Sequence, residues 1–150
     1  MFDINNCLTA VLTTNVLEQQ ICNAGATEAS TNYMDLGKAN LQIANGKKTP
    51  ILKFRVTEAF AGTGTTLTID LESDTDSGFA TALKQVIRLG VIPKARLVAG
   101  ALLQFPLPPE KYQRYLHGYF TGDNTFETTG KAIMWIEDGA DGDVAQFDKI

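Results

Sequence analysis

Long apolar runs are missing from this sequence, as are paired histidines, paired cysteines and clustered bases. No run approaches the ~18 residues of a membrane helix. The opening MFDINNCLTAVLTT lacks the basic region and apolar core of a signal peptide. The expectation is therefore a protein made and used in the cytoplasm, or leaving it by a route other than secretion, with no membrane partner. There is one histidine, His117, so no second imidazole exists for a metal site or a proton relay. Cys7 and Cys22 form no C-x-x-C pair and read as free thiols in a reducing cytoplasm. A Cys7–Cys22 disulfide is the alternative, and spacing does not decide it. The 13 basic residues are scattered, and the net charge of −4 argues against a nucleic-acid partner.

What is present suits one ordinary domain. A chain of 150 residues buries roughly 68–70% of its unfolded surface, so it needs neither disulfides nor metal to fold. Apolar content is 44% and charged content 20%, which is usual for a globular protein.

The stretch Leu102 to Phe120 organises the second half. Leu103 and Phe105 alternate with Gln104 and Pro106, and Leu107-Pro108-Pro109 stops the ladder because proline has no N–H to donate. Glu110 and Lys111 read as a solvated tip. Arg114 to Phe120 re-enters as a strand, with Tyr115, His117 and Tyr119 on one face and Leu116 and Phe120 on the other. Large groups on both faces predict a central strand.

Residues 1–29 are weakly periodic and read as an extended arm or short strand followed by a loop at Asn23-Ala24-Gly25, with a packed core element as the equal alternative. Tyr33 to Gly37 is a short strand ending in a turn glycine, and Asn45-Gly46 is a turn signal. Leu52, Phe54 and Val56 face in while Lys53, Arg55 and Thr57 face out. Leu67, Ile69 and Leu71 face in while Thr66, Thr68, Asp70 and Glu72 face out. With Gly62-Thr63-Gly64 between them, these two runs predict a β-hairpin. Phe79 to Leu89 reads as a strand after a polar turn, with Gly90 and Pro93 breaking the chain. Leu97 to Phe105 is the next strand, Gly122-Asp123-Asn124 a turn, and Lys131 to Glu137 the last strand. Residues 139–150 read as a loose acidic tail. About eight short strands and no secure helix predict an all-β sandwich or jelly roll.

No chemistry is legible. His117 reads as a packed strand histidine. Asp74-x-Asp76-x-Gly78 and Asp138-x-x-Asp141-x-Asp143 lack the glycine and twelfth-position carboxylate of a calcium loop. Gly62-Thr63-Gly64 is followed by no Lys-Ser/Thr, so it is no phosphate cradle. Tyr112, Tyr115, Tyr119 and Trp135 suit a sugar platform only if they share one face; core and interface packing is the commoner use. The expectation is no catalytic residue, no cofactor and no metal. A hydrolase on this scaffold is the least favoured reading.

Four stretches carry a resemblance by their order and spacing. They are Ser30-Thr31-Asn32-Tyr33-Met34-Asp35-Leu36-Gly37, Leu67 to Asp74 followed by Phe79, Leu107-Pro108-Pro109 before Arg114-Tyr115-Leu116 and Tyr119, and Gly130 before Ala132 to Asp138. Together the region 30–138 resembles the cement (decoration) proteins of short-tailed, double-stranded DNA bacteriophages. The resemblance implies a jelly-roll β-sandwich at 30–138 that binds the outside of the capsid and clamps neighbouring major capsid subunits. It also implies a homo-oligomer, a dimer or trimer, in the virion after assembly in the host cytoplasm. The arm at 1–29 is then a natural contact element. Deleting residues 1–15 is expected to leave the β-core folded and to weaken assembly. A carbohydrate-binding β-sandwich is the alternative.

Overall fold

The computed structural model describes residues 7–10, 16–22, 26–42, 49–126 and 129–137. Eleven strands follow in chain order: β1 Gln19–Gln20, β2 Thr27–Ala29, β3 Met34–Asp35, β4 Leu41–Gln42, β5 Ile51–Glu58, β6 Thr66–Asp74, β7 Gln85–Pro93, β8 Leu102–Pro106, β9 Lys111–Tyr112, β10 Tyr115–Gly122 and β11 Lys131–Glu137. The only helical element among the described residues is a single 3-10 turn at Lys94–Arg96.

Two antiparallel sheets make a sandwich. One has the order β1-β11-β5-β8 and the other β2-β10-β6-β7, with β3 also pairing β10. Each connection between these eight strands changes sheet, except β6 to β7. That winding is a jelly roll, as expected. The short pair β4-β9 stands outside both sheets.

Alternation read the faces correctly but not the partners. Leu52, Phe54 and Val56 are fully buried, and so are Leu67, Ile69 and Leu71. The two runs do not form the expected hairpin, however. β5 pairs β11 and β8, whereas β6 pairs β10 and β7. Their inward groups therefore oppose each other across the core instead of lining up on one sheet. The Pro-rich turn after β8 likewise carries the chain from one sheet to the other. Leu107 N–H donates to the Pro50 carbonyl at 3.0 Å and the Tyr112 hydroxyl to the Pro108 carbonyl at 2.9 Å. β10 is central, as its two-faced pattern predicts. Phe120 on β10 meets Phe54 on β5 with ring centroids 5.9 Å apart. Beside them, a Cβ at Gly118 would come 2.7 Å from Met134 Sδ, so glycine there lets the sheets close.

Two further expectations are corrected. Gly90 does not break the chain; β7 runs through it to Pro93. The register shifts opposite Ile69/Asp70, where Leu89 is the extra residue of a β-bulge. The strand expected from Leu97 begins only at Leu102, after the 3-10 turn and Gly100 at φ 88°.

Of the readings open for residues 1–29, the packed element with short strands holds for the described residues 7–10 and 16–22, and the arm docked on a partner does not. Cys7, Leu8 and Ile21 are fully buried. Cys7 bridges Trp135, Leu8 N–H donates to the Met134 carbonyl at 2.7 Å, and the Thr9 hydroxyl accepts from Met134 N–H at 3.0 Å. β1 pairs β11. Weak periodicity hid these residues because they pair as short segments against a distant strand, where tertiary contacts outweigh local propensity. Asn45-Gly46 and the tail at 139–150 lie outside the described residues.

Candidate functional site

β6 places Asp70, Glu72 and Asp74 on the outer face of its sheet, where polar residues meet water in most sandwiches. All three are nonetheless buried, with 4%, 4% and 0% exposure. For Glu72 and Asp74 the cover is the β6–β7 loop, residues 75–84, whose Lys84, Thr75 and Thr81 reach them, while Asp70 is met by Arg88 of β7. Phe79 is the keystone of the loop. Its backbone is left-handed at φ 53°, a conformation uncommon outside glycine. Phe79 N–H donates to the Asp76 carbonyl at 3.1 Å. Its ring stacks on His117, centroids 3.5 Å apart and planes within 1°.

Each buried acid has its own partner. Arg88 on β7 donates to Asp70 at 3.1 Å. Glu72 spends one oxygen on His117 Nε2 at 2.7 Å and the other on Lys84 Nζ at 3.2 Å. A carboxylate only accepts, so Nε2 carries the imidazole proton. Asp74 accepts from Thr75 N–H at 2.6 Å, from Thr81 N–H at 3.0 Å and from the Thr81 hydroxyl. Burial raises the Asp74 pKa, but the bonds from Thr81, Thr75 and Asp76 outweigh it and hold the carboxyl below its usual range.

An exposed rim borders the cluster. Asp35 takes a bidentate pair from Arg114 at 2.9 and 2.8 Å, and Arg114 lies 5.0 Å above the Tyr115 ring. That fork lowers the Asp35 pKa to about 2. Tyr33 stands edge-on to Tyr115 at 5.4 Å and to Phe79 at 6.5 Å. Chemically the arrangement is a latch. Both Glu72 oxygens are occupied, and the ring face of His117 lies under Phe79.

A family model matches residues 18–136 and carries the description Bbp16. The chain belongs to the Bbp16 family. The name suggests a phage-related protein and is not specific to cement proteins. The matched region reaches from just before β1 to the penultimate residue of β11, so it takes in every strand residue of the Bbp16 sandwich except Glu137, and leaves out the docked segment 7–10. No curated protein matches the chain.

The Bbp16 sandwich does not gather the four aromatics that a sugar platform requires. Tyr112 is fully buried. Tyr115 and Tyr119 lie on the outer face of β10, while Trp135 lies on β11 in the other sheet. Asp74 and Asp76 are consumed as turn acceptors, Asp76 taking Gly78 N–H at 2.8 Å. The Asp138, Asp141 and Asp143 pattern lies outside the described residues. Among the described residues there is no group of three or more His, Cys, Asp or Glu placed to hold a metal ion, and no helix is long and apolar enough to cross a membrane. From sequence, Asp70 and Glu72 read as a solvated strand face and Asp74 as part of a polar turn, whereas all three are buried on β6. The only sequence signal was Phe79, an aromatic in a turn otherwise made of small polar residues.

Two expected results arise from this site and the thiols. Burial pulls the His117 pKa down, and the Glu72 hydrogen bond only partly restores it. The unfolded imidazole therefore takes up its proton first. Stability is fully present above about pH 6.5 and falls as pH drops from there toward the lower folded pKa. Urea midpoints between pH 7.5 and 5 are expected to decline, and His117→Asn to flatten that decline. Cys7 and Cys22 are both buried free thiols, and burial pushes the Cys22 pKa up to about 11. Native protein is expected to react slowly with a thiol reagent at pH 8, and denatured protein to yield both thiols at once.

Proposed function

We propose that this protein is a bacteriophage capsid cement protein, a non-catalytic virion component. It binds the outer surface of the head and clamps neighbouring major capsid subunits as a dimer or trimer. The observation that carries the reading is membership of the Bbp16 family over residues 18–136, a name that suggests a phage-related protein. The jelly roll and the order of the four sequence stretches described above support it. A net charge of −4 suits the outer face of a shell over one packed against DNA. Repetition over a lattice lets modest contacts hold through avidity. Assembly takes place in the cytoplasm of the host bacterium.

The test is co-sedimentation with capsids that lack the protein, together with its copy number in purified particles. Binding in a fixed ratio to the major capsid protein is the expected result. A monomer that never sediments with capsids and is absent from particles overturns the reading. No specific observation favours the carbohydrate-binding alternative.

A further inference from the structure

Residues 75–84 lie over the sheet without being woven into it. Their two backbone–backbone bonds close within the loop: Phe79 N–H to the Asp76 carbonyl, and Lys84 N–H to the Thr81 carbonyl at 3.3 Å. The β6–β7 ladder ends just outside, at Ser73 opposite Gln85. Lifting the loop therefore breaks no strand bond. Three ties hold it down. Phe79, the one buried side chain among residues 75–84, stacks on His117 and meets the edge of Tyr33. Lys84 pairs Glu72. Thr81 donates to Asp74 through its N–H and its hydroxyl. So few buried apolar contacts mark an element that opens locally, before the domain unfolds. The left-handed backbone at Phe79 is strained for a bulky side chain. The ring on His117 thus holds closed a turn that relaxes when released.

Beneath that ring lies the chain's only histidine. Its Nε2 is committed to Glu72, so a second proton goes to Nδ1. Glu72 and Asp74 on β6 favour that proton, whereas Lys84 opposes it as a second cation on the Glu72 carboxylate. Further along the face Asp70 and Arg88 answer each other, and at the rim Asp35 and Arg114 do the same. On β10 itself Tyr115 and Tyr119 flank the imidazole, the Tyr119 ring 6.5 Å away. Burial under Phe79 decides, because an imidazolium there loses its water, and the folded pKa lies below its ordinary value. Lifting the loop returns water to the ring and carries Lys84 away. The open form therefore binds the proton more tightly than the closed form, and proton uptake shifts the balance toward opening.

We infer that residues 75–84 are a proton-sensitive flap, hinged at Asp74 and Gln85, that lifts from His117 when the imidazole is protonated while β6, β7 and β10 stay paired. Lifting bares the His117 ring, the Glu72 carboxylate and Phe79 on a face that is closed at neutral pH. This inference is independent of the capsid reading.

The experiment is amide hydrogen exchange on the full chain at pH 7.5 and 5.5, without urea and in low urea, with rates corrected for the pH dependence of free amides. It compares wild type with His117→Gln, whose amide reaches for Glu72 but takes up no proton, and with Phe79→Ala, which leaves the imidazole wet even when the loop is down. In wild type the Phe79, Thr81 and Lys84 amides are expected to exchange through an opening that low urea leaves unchanged, because lifting the flap exposes little surface; the Leu71 and Phe120 amides are expected to follow urea. Protection of the three flap amides is expected to fall severalfold from pH 7.5 to 5.5, by no more than about tenfold per pH unit. Both variants are expected to lose that pH response. Flap amides that share the urea dependence of Leu71 overturn the inference, since the opening is then global. A pH response that survives in either variant overturns it too, and because the two variants damage the latch differently, the one that stays folded decides.

Discussion

Leu8→Ala is expected to destabilise the protein by about 2–5 kcal/mol, the cost of truncating a core leucine. Leu8 is fully buried in the main core cluster, although it precedes the first strand. Its backbone is bonded to Met134 and, through its carbonyl, to Asn32 N–H at 2.8 Å. A peripheral arm would tolerate the change within about 0.5 kcal/mol, as exposed sites do. Urea denaturation separates the two outcomes, and the Leu8 midpoint should fall as far as that of Leu52→Ala. By the same reasoning, deleting residues 1–15 is now expected to unfold or severely weaken the domain, because it removes Cys7, Leu8 and Thr9 together. A deletion that leaves the midpoint unchanged would overturn this placement.

Asp74→Ala carries the second large effect. The carboxylate is fully buried, and its loss strands the N–H groups of Thr75 and Thr81. A fully buried donor left without a partner costs about 1–3 kcal/mol; both donors here belong to half-buried residues that water can partly reach, so the pair together amounts to about 1–3 kcal/mol. The loop 75–84 should also loosen, taking Phe79 off His117, and near-ultraviolet circular dichroism would report the change. A pH signature distinguishes this from general damage. The folded Asp74 pKa lies below its ordinary 3.8, so its contribution is present above that value and fades as pH falls through the folded pKa. The variant should therefore show a shallower loss of stability at acid pH, and an unaltered acid limb would count against the assignment.

Much of the fold was legible because alternation records which face of a strand meets the core. Leu52, Phe54, Val56, Leu67, Ile69 and Leu71 needed nothing more. Alternation carries no record of which strand lies alongside, so β5 and β6 read as a hairpin although they belong to opposite sheets. Residues 7–10 and 16–22 were illegible for a related reason: their order comes from β11, more than a hundred residues away. The β6 latch was half legible. His117 read as a packed strand histidine, but burial of Glu72 and Asp74 depends on where the 75–84 loop falls, and polarity alone predicts solvent. A bulge such as the one at Leu89 leaves no local pattern except a neighbouring glycine.

The winding of the two sheets also governs how the chain comes to be folded. Among the described strands only β6 and β7 are both consecutive and paired; Gln19 must find Ala132, and Ala29 must find Tyr119. Such distant closures place folding in roughly the millisecond-to-second range. On the ribosome, β5 and β1 wait without their shared partner until β11 emerges, so apolar faces stay open during synthesis. A chain interrupted before Lys131 lacks the strand that joins β1 to β5, and should be lost to aggregation or proteolysis rather than accumulate as a partial domain.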